Sequence, residues 1–138
     1  MPIPEKWIKA AIETAVESCQ AWPVAMTGTG DPPYVVYFRE GTVRELELAD
    51  TLDATPEPNS LPPVATFRLD IYADSHVQAW EIAEAIGTAL NRFKGTVDGL
   101  TIDACLLTDE RDGDAVRLEG REDPTYIVEQ TYTISWEE

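Results

Sequence analysis

Residues 65–93 constrain the fold more than any other stretch. Ala65, Phe67, Leu69, Ile71 and Ala73 alternate with Thr66, Arg68, Asp70 and Tyr72. That is the two-residue period of a strand with one buried and one polar face. Ser75 follows, with Gln78 three residues on, a capping box in which side chains satisfy the first free N–H groups of a helix. Behind it Ala79, Ile82, Ala83, Ile86, Ala89, Leu90 and Phe93 form one apolar stripe. Lys94-Gly95 then supplies a cation and a helix-stopping glycine.

The rest of the chain falls into similar segments. A first helix is expected from Pro4 or Glu5, with Ile8, Ala11, Ile12, Ala15, Val16, Cys19 and Trp22 on one face and Pro23 as its bound. Residues 27–33 read as loop. Tyr34 to Arg39 reads as a strand, Glu40-Gly41 as a turn, and Thr42 to Leu48 as a weaker strand. Residues 49–63, with Pro56, Pro58, Pro62 and Pro63, read as a long exposed loop. Leu100, Ile102, Ala104 and Leu106 alternate with Thr101, Asp103 and Cys105 as a strand. Asp109-Glu110-Arg111-Asp112-Gly113-Asp114 reads as a charged turn, and Ala115 to Glu119 as a short return strand. Tyr126, Val128, Tyr132, Ile134 and Trp136 mark the final strand, expected to be the longest and central.

Two amphipathic helices need an apolar surface, and the strands offer one. The expected architecture is α+β: one domain over residues 1–138, a largely antiparallel sheet with both helices on one face. The opposite face carries Arg68, Asp70, Glu129, Thr131 and Thr133.

Charge narrows the function. Twenty-six Asp and Glu face ten Lys and Arg, for a net −16. Such a surface repels phosphate, which argues against a nucleic-acid binder, and it lacks a polybasic membrane patch. The three lysines and many acids fit a saline host. The N-terminus lacks the apolar core of a signal peptide, and no apolar run reaches the ~20 residues of a membrane span. Cys19 and Cys105 lie in apolar patterns and read as buried thiols, with a disulfide between them left open.

No chemical motif emerges. The acids at 109–114 miss the calcium-loop spacing, since counting from Glu110 puts Ala115 at the glycine position and Arg121 at the bidentate one. His76 is the sole histidine, in the first turn of the second helix, without a paired nucleophile. No nucleophile elbow, phosphate loop or dinucleotide fingerprint is present. No cofactor, metal or catalytic residue is expected. Trp80 lies about 60° beyond the stripe's edge, beside Val77. It reads either as an aromatic folded over the core margin or as an interface anchor, and Trp7 has the same two readings. Arg68, Asp70 and Glu129 on the polar face, and Asp109, Glu110, Asp112 and Asp114, complete the interface candidates.

The organisation resembles a known family. An amphipathic helix leads into Pro33-Tyr34-Val35-Val36-Tyr37. Phe67-Arg68-Leu69-Asp70-Ile71-Tyr72-Ala73 precedes a helix with Ala79-Trp80-Glu81-Ile82-Ala83-Glu84-Ala85-Ile86, and an alternating Tyr126–Trp136 strand closes the chain. In order and spacing this is similar to the tail-completion (tail-terminator) proteins of long-tailed phages and related viruses, with exposed loops at about 49–63 and 109–123. The resemblance implies a non-enzymatic virion subunit, made in the host cytoplasm, that assembles into a homo-oligomeric ring of six at the head-proximal end of the tail. Its partners would be the tail-tube protein and the head–tail connector protein, with DNA crossing the lumen unbound and no membrane involved. Alternatives are a head-completion or connector-stopper ring of the neck, an acidic inhibitor that mimics DNA, and a small carboxylate hydrolase.

Overall fold

A computed structural model describes residues 3–17, 19–23, 32–43, 63–115 and 124–137. Two helices cover one face of a six-stranded sheet. Helix α1 spans Pro4–Ala15 and α2 spans His76–Leu90. The strands are β1 (Gln20–Pro23), β2 (Tyr34–Val43), β3 (Val64–Ala73), β4 (Gly95–Val97), β5 (Leu100–Asp112) and β6 (Tyr126–Glu137). Their order across the sheet is β1-β2-β3-β6-β5-β4, with only β1 and β2 parallel. The expected α+β architecture is therefore present.

The central pair is β3 and β6, matched without a break from Val64 opposite Ser135 to Ala73 opposite Tyr126. Phe67, Leu69 and Ile71 from β3 and Val128, Tyr132 and Ile134 from β6 are fully buried beneath the helices. Ala79, Ile82, Ala83, Ile86 and Leu90 of α2 meet them. The Ser75 half of the capping box forms, Gln78 N–H donating to Ser75 Oγ at 3.1 Å, while Gln78 Oε1 accepts from the N–H of Asp74, one residue before the cap, at 2.9 Å. The β6 strand is central, but β5 is the longer by one residue.

Several segments depart from the sequence reading, each for a local reason. Helix α1 ends at Ala15, not near Trp22, and residues 20–23 pair with Tyr34–Tyr37 at the sheet edge. Two α1 side chains clasp that strand. Ala21 N–H donates to Glu13 Oε2 at 3.2 Å, and Lys9 Nζ donates to Ala21 O at 3.3 Å and to Glu13 at 2.7 Å. Glu40-Gly41 is no turn: β2 runs through it with an irregular register between Arg39 and Gly41. Helix α2 stops at Leu90, before Lys94-Gly95. There Arg92 N–H donates to Cys105 O at 2.6 Å, and Asn91 Oδ1 accepts from Leu107 N–H at 2.9 Å. These bonds draw the chain onto β5, with Arg92 in the left-handed region at φ 67°.

Strand β5 departs most. Extra residues at Asp103 and Thr108 break its register with β6. Each bulge inserts one residue and reverses which side chains face inward. The strand thus buries Ile102 and then Cys105, while Leu106 turns out to 48% exposure. The charged turn expected at 109–114 is absent; residues 109–112 belong to β5. The expected loop residues 49–62, the weak strand over 44–48 and the return strand over 116–119 lie outside the described residues. Cys19 and Cys105 are free buried thiols, and burial raises their pKa values to about 11 and about 12.

Core and groove positions should respond in opposite directions to small substitutions. Ile71→Ala opens a cavity at a fully buried site and should cost about 2–5 kcal/mol. A Cβ added at Gly87, inside α2, would meet Gln130 Nε2 and Tyr132 Oη at 4.0 Å, an ordinary contact. Gly87→Ala should therefore stabilise by about 0.5–1 kcal/mol through helix propensity. Denaturant midpoints of the two variants check both signs.

Candidate assembly surfaces

One polar residue lies within the core and sets the position of α2. Gln130 is fully buried on β6. Its Nε2 donates to Ala83 O of α2 at 2.9 Å and to Glu110 Oε2 of β5 at 2.5 Å, while its Oε1 accepts from Tyr132 Oη at 3.0 Å. A buried amide left unpaired would be costly, so these bonds bind helix and strand to one register. The Thr108 bulge makes this possible. It turns Glu110 and Asp112 toward α2, and Asp109 and Arg111 toward the opposite face.

A groove of about 820 Å³ runs between α2 and β5, with Val77, Trp80, Glu84, Gly87, Leu107 and Glu110 among its walls. Trp80 closes one end. Its Nε1–H donates to Asp112 Oδ1 at 2.7 Å, and His76 Nε2 lies 3.0 Å from the same oxygen. Trp80 is half-buried against the core margin, while Val77 beside it is 65% exposed. Trp7 is a core side chain: only 7% exposed, it packs on Phe93 in a tilted pair with ring centroids 4.9 Å apart. Helix α1 places it inward because Trp7, Ile8 and Ile12 share one buried face.

The face away from the helices gathers Arg68, Asp70, Glu129, Asp109 and Arg111. Arg68 donates to Asp70 Oδ1 at 2.8 Å and also pairs with Glu129. Arg111 pairs with Glu129 at 3.0 Å and approaches Asp109 at 3.8 Å. The Arg68 guanidinium lies 5.5 Å from the Phe38 ring centroid, and Tyr34 stacks on Tyr72 at 4.7 Å. Sequence spacing placed Arg68, Asp70 and Glu129 together on this face. It did not bring in Arg111, whose side depends on the bulges. Asp114 is exposed beyond the end of β5.

Nothing among the described residues groups three metal-ligating side chains, and no helix among them is long and apolar enough to cross a membrane. A chain from the virion of a native gene transfer agent particle shares the fold. It superposes with a TM-score of 0.53 at 16% identity, over 95% of this chain and 84% of that one. No known protein family matches this sequence, and neither does any curated protein.

Burial pushes the Asp70 carboxyl above its ordinary range, with Arg68 offsetting part of the rise. Folded Asp70 therefore binds a proton at higher pH than the unfolded chain does. By linkage this favours folding below the ordinary carboxylate pKa and is lost as pH rises through the raised value. Carbon-13 NMR titration of the Asp70 carboxyl, assigned with Asp70→Asn, should give a midpoint above 3.8. A midpoint below it would mean that the Arg68 pair outweighs burial.

Proposed function

We propose that this chain is a structural subunit of a phage-type virion, a ring of six at the head-proximal end of the tail tube. The ring ends tube polymerisation and gives the head connector a surface to dock on, while DNA passes through an acidic lumen that repels it. The observation that carries this reading is the fold shared with a gene transfer agent virion chain across 95% of the sequence. The order and spacing of the segments support it from the sequence side. A ring subunit needs outer faces of different character and a contact that closes, and the groove beside α2 and the charged sheet face supply surfaces of different character. The acidic-inhibitor alternative calls for carboxylates along one ridge. Here the described acids are spread over α1, α2, β5 and β6.

Native mass spectrometry should show an assembly of six 15.3 kDa chains. Antibody labelling of particles from the source organism should mark the junction of head and tail. Pull-down should recover tail-tube protein; recovery of connector protein alone would move the ring one step toward the head. With −16 on every subunit, closure should improve as salt shortens the screening length from ~10 Å at 0.1 M to ~3 Å at 1 M. A protein that stays monomeric at every salt and is absent from particles would overturn the reading.

A further inference from the structure

Charge is unevenly placed along α2. On its middle turns Glu81 and Glu84 line the groove with Glu110, and Asp112 bonds Trp80 nearer its start. Past its other end come Arg92 and Lys94. On α1, Lys6 immediately precedes Trp7, which packs on Phe93 between Arg92 and Lys94 in the chain. Among the described residues these three are the basic side chains outside any ion pair; Lys9, Arg39, Arg68 and Arg111 are all paired with acids. Each end also exposes a large apolar side chain. Val77 is 65% exposed in the groove, and Ile3, which shares a cleft with Lys6 and Asp98, is 43% exposed. The helix is 15 residues, about 22 Å, long, and the groove follows it from His76 to Asn91, the residue before Arg92.

Resting on the ring reading above, we infer that the α2–β5 groove is a subunit contact that receives the Lys6, Arg92 and Lys94 end of a second copy. Every copy carries both halves of this contact. Groove against groove would set Glu81, Glu84 and Glu110 against their own counterparts, so a two-fold contact there is opposed by like charge. Groove against basic end is complementary in sign, and it joins different surfaces of successive subunits. A head-to-tail contact of that kind closes into a ring when its rotation permits. The apolar side chains form the centre of the contact and the charges form its rim.

Charge reversal tests this directly. At fixed salt, Glu84→Lys and Lys94→Glu should each lower the association constant about tenfold or more. The double variant Glu84→Lys/Lys94→Glu should recover most of that loss, because every contact again joins opposite charges. Thermal melts confirm that each variant folds, and the pair Glu81→Lys and Lys6→Glu replaces any that does not. If single reversals assemble like the wild type, the groove is not the contact, although the ring reading stands. If the wild type is monomeric at all salts and absent from particles, both fall. If Glu84→Lys leaves self-assembly intact but abolishes capture of the tail-tube protein, the groove takes that partner instead and the inference is overturned.

Discussion

The unbroken pairing of β3 with β6 is the constraint on which the other elements depend. Ten consecutive residue pairs hold the two strands in one register. A shift of a single residue would turn Phe67, Leu69 and Ile71 away from the helices and expose a face rich in apolar surface. With the register fixed, Gln130 lies beneath Ala83 of α2 and its amide locks the helix in place. Arg39 does a parallel job for α1. Its guanidinium lies between the Phe67 and Trp136 rings, 5.3 and 5.2 Å from their centroids, and bonds Glu5 of α1 at 2.6 Å. Each helix is thus held by apolar burial and by polar side chains of the sheet, Arg39 for α1 and Gln130 with Asp112 for α2.

Strand β5 converts that rigid frame into two surfaces of different character. Its second bulge sends Glu110 and Asp112 to the helix side and Asp109 and Arg111 to the other. Alternate residues of one acidic run therefore serve separate faces. In the proposed ring, net repulsion between subunits would act at long range and be screened first, whereas opposite charges brought together at a desolvated contact would be screened much less.

Much of this frame was legible from residue spacing alone. The alternation of β3 and β6, the Ser75–Gln78 cap and the α2 stripe each reflect one local rule, and each formed as that rule predicts. The misread segments are those in which a tertiary bond overrides local spacing. Cys19 and Trp22 continue the helical spacing of α1, yet the free edge of β2 captures the backbone at 20–23. Gly95 is a suitable helix stop, but β5 draws the chain away at Asn91 first. Aspartates and a glycine suggested a turn at 109–114, while pairing with β6 keeps residues 109–112 extended. At the site, the polar-face trio and the marginal position of Trp80 could be read from periodicity. The groove could not, since Glu110 and Asp112 reach it only through a bulge that no composition marks.

The first bulge carries a chemical consequence of its own. Asp103 is the extra residue that directs Cys105 inward, opposite Ile134 and sealed from solvent. Had Asp103 been paired in regular alternation, Ala104 would face the helices and the sulfur the open face. Whether this sulfur meets solvent is therefore a matter of strand phase, set by the bulge between Ile102 and Ala104.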